Sequence, residues 1–454
     1  MRIDTPTLAT TENVVKDLAK KMYDSQSIKK IVLLKSNKNP LSIHHPWADI
    51  SLSHGFPALV CFYVQLDERF PQNGWGYVAH EYILKIGKIL EAEGVHDFSL
   101  FSGLAGICYA VLKASKQKTR YQNLLNNLNP LLSNSIKKNF LVPLELDIKK
   151  EQPSSVNYYD TIQGIVGIGA YCLQDAQNPL LYESLTSIIE TLIKRCKPIQ
   201  IGNHQVPGWY VPVKYQFMEQ DKELYPQGNF NLGLAHGIPG VLALLSLAYQ
   251  KGIQLPFQRQ TIRTIVKWIK NHSQVKNGLT IWPDRISFET EIEQKAETNY
   301  LYRDAWCYGN PGIIRSLYLA GKALHNTALK KYALSIFKTT FDRPKEEWWL
   351  PGPTFCHGIS GLLAITNRMA IDTKDPFLDT KVSFLRELLL QFYDSSHPFG
   401  FQDLEPTNYQ KGKEGLTYIS LNKAGLLEGA SGIGLALLEI GKKGSSWDAP
   451  FLIN

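Results

Sequence analysis

Two kinds of apolar stretch alternate from one end of the chain to the other. In the first kind, apolar residues recur on a single helical face. Within 256–273, Ile262, Ile265, Val266 and Ile269 share a face while Arg and Lys occupy the opposite one. In the second kind, such as 240–250 (GVLALLSLAYQ) and 432–440 (GIGLALLEI), the segment is apolar nearly all round, as a helix covered on both sides must be. Segments 11–30, 75–94, 120–139, 180–196, 256–273, 326–342 and 375–394 are of the first kind, and each is followed by one of the second. The alternation predicts seven outer and seven inner helices in an all-α fold, an α/α toroid, with residues 1–454 forming a single barrel.

A Gly-x-x-Gly element opens each inner segment. The copies read SHGFPAL (53–59), SGLAG (102–106), QGIVG (163–167), HGIPG (236–240), YGNPG (308–312), HGISG (357–361) and EGASG (428–432), the first being degenerate at Ala58. A repeat of this kind means stacked or ring-closed copies of one supersecondary unit. Pro239 and Pro311 fit a first helical turn, where a missing N–H costs nothing. The glycines are expected to let inner helices converge closely at one end, a shared mouth suited to an active site. Intervals between copies are uneven, so the longer ones must hold insertions. The largest, 197–235, mixes β-branched and aromatic residues between Pro and Gly and predicts short strands in a small subdomain. Segments 140–159, 274–305 and 395–427 are expected as long rim loops, which often carry function.

Composition narrows the classes. Apolar residues at 44% and charged residues at 20% describe a globular protein with a large core. No apolar run is long enough for a transmembrane segment, and the N-terminal stretch lacks a signal-peptide core, so a cytoplasmic location is expected. The net charge of +8 is spread over polar helix faces. With no basic tract or finger spacing, no nucleic-acid partner is expected. The charge leaves room for peripheral contact with the inner face of the cell membrane. Six cysteines in so long a chain do not make a disulfide scaffold. Cys61, Cys108, Cys172 and Cys196 sit in helical patterns and read as core or structural residues.

Cys307 and Cys356 differ, because they precede helices beside Gly, Tyr and His, in Trp306-Cys307-Tyr308-Gly309 and Cys356-His357-Gly358. Neighbouring residues on a regular helix diverge around its axis, but in a loop released by glycine Cys356 and His357 can face one point. Two thiolates and an imidazole match a catalytic zinc site with an open fourth position. The alternative is two inert core cysteines and a histidine bonded to a carbonyl. The repeat favours the metal, since the two copies are consecutive.

These motifs, with AHGIPG (235–240) and the aspartate ahead of QGIVG, make the chain resemble the lanthionine synthetase C family over essentially its whole length. The resemblance implies an α/α barrel that holds Zn2+ on Cys307, Cys356 and His357. It implies addition of peptide cysteines to dehydroalanine or dehydrobutyrine, giving the thioether rings of lanthipeptides. It also implies His236 as general acid for the enolate, Asp160 as proton acceptor or orienter of His236, Arg303 near the metal, and Tyr308 shaping the pocket. A helix N-cap for Asp160 and an ion pair of Arg303 with Asp304 are the plain alternatives. Implied partners are a dehydrated precursor peptide, whose leader segment is expected on 197–235, a separate dehydratase and an export transporter. Rival readings are a eukaryotic-type relative adding glutathione to dehydroamino acids, and a zinc-stabilised peptide- or glutathione-binding scaffold. A glycosidase on an α/α barrel would need paired carboxylates.

Overall fold

The computed structural model describes residues 6–42, 44–216, 219–298, 302–408, 415–441 and 446–454. Parts of three segments discussed above, 217–218, 299–301 and 409–414, lie outside the described residues. The chain forms two compact units, one of residues 1–97, 101–126 and 349–447, the other of 98–100, 127–348 and 448–454.

In the first unit the glycine elements open the helices Phe56–Arg69, Leu104–Ala114, Ile359–Thr373 and Ala430–Leu438. Phe56–Arg69 packs on the amphipathic helix Trp75–Glu93 and on both Leu104–Ala114 and Ala430–Leu438, while Ile359–Thr373 packs on Pro376–Leu390. Outer segment 11–30 is not one helix. It breaks into Pro6–Lys21 and Ser25–Val32, where the Asp24 carboxylate accepts the Ser27 N–H (2.7 Å) and starts a new helix.

In the second unit the inner helices are Ile165–Gln174, Ile238–Gln250 and Asn310–Ala323, with Pro179–Arg195, Gln258–Asn271 and Thr327–Thr339 as outer partners. All of 238–248 is buried, which is why that segment carries no polar face. Asn178 and Asn326 cap outer helices through their side chains. The tail 448–454 is threaded into this unit. Trp306 Nε1 donates to the Phe451 carbonyl (2.9 Å), Arg315 Nε donates to that of Ile453 (2.7 Å), and the Phe451 ring meets Trp306 edge-on.

Two expectations are corrected. Segment 140–159 is not a loop. The helix Gln122–Ser135 runs through a π-helical stretch, Ile136–Leu141, into Val142–Lys149, and the wider turn, in which the Val142 N–H reaches the Lys137 carbonyl, takes up the backbone just before Pro143. The first glycines of the elements also have a different reason from helix convergence. A Cβ on Gly237 would lie 2.2 Å from the Asn231 carbonyl, and one on Gly358 2.4 Å from that of Gly352. Each collides with its own loop six residues earlier, so the glycine allows the chain to fold back before the helix begins. Second glycines such as Gly167 and Gly312 fold back on their own loops too, and at Gly240 a Cβ would in addition meet the Thr161 hydroxyl oxygen of the preceding repeat at 2.4 Å.

Short strands do form in 197–235, where Ile199–Ile201 pairs antiparallel with His204–Val206. Asn229–Asn231 pairs outside that segment with Arg285–Ser287, Phe230 opposite Ile286. Segment 274–305 also holds the hairpin Gln274–Lys276 with Leu279–Ile281, and 395–427 holds Asp403–Pro406 paired with Tyr418–Leu421, so both rim segments are more ordered than expected.

Candidate active site

In the second unit, His236 stands just before the Gly237 that opens Ile238–Gln250. Its Nδ1 donates to Asp160 Oδ2 at 2.6 Å. Asp160 is fully buried and its other oxygen accepts the backbone N–H groups of Gln163 and Gly164 (2.7 and 2.8 Å). Asp160 thus ties together the loop ahead of one inner helix, whose N-cap is Gly164, and the histidine ahead of the next. With Nδ1 engaged, proton exchange by His236 falls to Nε2.

Tyr308 lies beside this pair, its ring 6.3 Å from the imidazole. Asn231 Nδ2 donates to its hydroxyl (3.0 Å), and the Arg285 guanidinium sits over its ring at 5.2 Å. Burial pushes the phenol up to about 12, with Arg285 and Asn231 pulling the other way, so Tyr308 remains an O–H donor at neutral pH. Arg285 is itself buried and paired with Asp221 (2.9 Å) and Asp284 (2.7 Å). Sequence reasoning missed Arg285 and Asn231. Their one signal was a strand-like stretch carrying an arginine that only pairing could bury.

Cys307 is buried in the same unit, and its carbonyl accepts the Ala235 N–H (3.4 Å), linking the WCYG and AHG loops. Arg303 is half-buried. The Asp304 carboxylate, weighed above as its partner, is held by Arg343 and by the Tyr302 hydroxyl (2.8 Å).

The first unit holds Cys356 and His357 in the loop before Ile359–Thr373. The loop is pinned by N–H groups of Phe355 and Cys356, both donating to the Leu427 carbonyl (3.1 and 2.8 Å). Ligand atoms of Cys356, His357 and Glu428 lie within 4.8 Å of one another. A thiolate and an imidazole converging in one loop fit a zinc ion. Beside them, the ammonium of Lys423 is enclosed by Asp403 (2.8 Å), Glu428 (2.7 Å) and Glu405. Burial works against both charges, yet the three carboxylates hold Lys423 well above the usual lysine range and Lys423, with His357 and His54, holds Glu428 well below the carboxylate range. Asp403, Glu405 and Glu428 also converge, and each already has an oxygen engaged by the Lys423 ammonium, so they read as an ion-pair network around that lysine. Lys423 and Asp403 carried no spacing signal, because a strand pairing brings them together.

The model of the family described as "Lanthionine synthetase C-like protein" matches residues 46–452. The chain belongs to that family. It is 26% identical over 362 residues to the nisin biosynthesis protein NisC of Lactococcus lactis subsp. lactis, covering 78% of this chain and 82% of that protein. Among solved structures it is similar to one titled nisin cyclase, with a TM-score of 0.77, 23% identity, and coverage of 97% of this chain and 98% of the other. That likeness shows the fold, and the all-α, α/α-toroid class expected from the repeat is the one observed. Among the described residues no helix is long and apolar enough to cross a membrane.

Proposed function

We propose that this protein is a zinc-dependent lanthionine cyclase that closes thioether rings in a dehydrated precursor peptide. The observation that carries the reading is the family match over 46–452, and the convergence of Cys356 and His357 in one loop supports it. NisC and nisin cyclase, named for nisin, make a peptide the natural substrate class. Cys307, Cys356 and His357 are the residues assigned to hold the metal. Bound there, zinc supplies an open position at which a thiol, ordinarily protonated near neutral pH with a pKa of about 8.5, is kept as thiolate.

The chain's own groups account for the remaining chemistry. When the peptide sulfur adds to Cβ of the dehydro residue, a C–S bond forms and the alkene pair moves onto the adjacent carbonyl as an enolate. His236 hands a proton from Nε2 to Cα, and the buried Asp160 holds the ring in the orientation and tautomer that allow it. Tyr308, kept as a phenol, fits as a hydrogen-bond donor to the enolate oxygen, and Arg303 is assigned the same charge-stabilising role. The proton lost by the thiol balances the one gained at Cα, so cyclisation leaves the peptide mass unchanged.

The test is mass spectrometry of a dehydrated, cysteine-containing peptide incubated with the protein, zinc and glutathione, then treated with a thiol alkylator. A cyclase yields unchanged mass and no alkylation. A glutathione adduct would instead favour the glutathione-adding relative, and an alkylatable, unadducted peptide a non-catalytic scaffold.

A further inference from the structure

We infer that Asp403, held by the buried Lys423, is the positioning residue that orients His357 for the metal. The inference rests on the proposed zinc site and adds residues outside the set assigned above. His357 faces a carboxylate at each ring nitrogen, Nε2 lying 3.7 Å from Asp403 Oδ1 and Nδ1 lying 3.9 Å from Glu428 Oε1. A histidine ligand gives one nitrogen to the metal and its other N–H to an outer partner, commonly a carboxylate. Cys356, His357 and Glu428 offer ligand atoms within 4.8 Å of one another, and Asp403 is not in that group. The Nδ1 side therefore belongs to the metal and the Nε2 side to Asp403.

Asp403 is built for that task. It is 1% exposed on the strand Asp403–Pro406, and its two oxygens are spoken for from opposite sides. Oδ2 accepts from Lys423 (2.8 Å), and Oδ1, the oxygen nearest His357 Nε2, accepts from the hydroxyl of Thr354 (3.0 Å), three residues before His357. Lys423 is anchored in turn, because its carbonyl accepts the Ala430 N–H (2.9 Å) at the start of Ala430–Leu438. The same ammonium draws Glu428 through Oε2. A carboxylate engaged in that way competes poorly for the metal, which preserves the open position for the substrate thiol.

The measurement is zinc affinity by competition with a chromophoric chelator, with circular dichroism alongside. Asp403→Asn should weaken zinc about 10- to 100-fold with the helical signal intact, the usual effect of losing an outer-sphere partner. Asp403→Ala, which likewise leaves Lys423 paired with Glu405 and Glu428, should show the same weakening. Glu405→Gln also loses a Lys423 contact, but among the described residues His357 faces Asp403 and Glu428, so this variant should stay within about 3-fold of the parent. Parental affinity in the two Asp403 variants, or equal weakening in Glu405→Gln, would overturn the inference while leaving the zinc site standing. A parent protein that binds no stoichiometric zinc would overturn both.

Discussion

The bond between His236 and Asp160 lets the proposed acid–base role be tested apart from metal binding at single side chains. His236→Ala should retain zinc, because His236 is not among the assigned ligands, while the cyclisation rate falls about 10²-fold or more, as for loss of a positioned general acid. Loss of zinc in that variant would make the histidine a ligand. The thiols divide just as sharply. Burial pushes Cys61, Cys172 and Cys196 each up to about 12, so at pH 8 roughly one in 10⁴ of these groups is thiolate. Iodoacetamide applied to the chelator-treated native protein should label the part-exposed Cys356 quickly and those three only as the protein unfolds. Peptide mapping that found Cys61 labelled as fast as Cys356 would contradict the core assignment. The chemistry-bearing cysteines and histidines stood out in the sequence because they decorate a repeated element. Lys423, Asp403, Arg285 and Asn231 did not, since each depends on strand pairing between distant segments, and a lysine in a polar stretch carries no mark of burial.

Among the secondary-structure elements, the glycine before each inner helix decides how a site loop is held. Gly309 is the extreme case, with φ of +104° and a hypothetical Cβ only 1.6 Å from the Arg303 carbonyl. Gly252 shares the positive φ (+84°) but has nothing within 4 Å. Gly252→Ala should therefore cost only about 1–2 kcal/mol, the backbone penalty alone. Gly309→Ala adds a backbone collision in the loop carrying Trp306, Cys307 and Tyr308, and should cost more than about 3 kcal/mol or unfold that loop. Urea denaturation compares them, and equal losses would refute the loop-reversal account of these glycines. Helix positions were readable from periodicity because the inner helices are buried all round and the outer ones on one face. The continuation of Gln122–Ser135 to Lys149 was not, because Pro143 mimics a break that the π-helical stretch before it absorbs. The three-residue strands in 274–305 were also hidden, being too short to establish an alternation.

Taken entire, the chain joins a repeat that sets its fold to a handful of loops that set its chemistry, and family membership covers both. Removing one assigned ligand should separate the two. Cys356→Ala should lose zinc by elemental analysis while keeping its helical circular dichroism, since the core is apolar and made by the helices. Stoichiometric zinc in that variant would sink the ligand assignment. Activation of the substrate thiol can be counted in protons. Binding a cysteine-containing precursor near neutral pH should release roughly one proton per site, because a thiol that is mostly protonated in solution becomes a thiolate on the protein. A Cys→Ser precursor should release none, an alcohol being too weak an acid and its oxygen a poor match for a thiolate-rich site. Isothermal calorimetry in two buffers of different ionisation enthalpy makes the count. One proton from the cysteine peptide and none from the serine peptide is the result expected of a thiolate-activating cyclase, and equal release from both would contradict it.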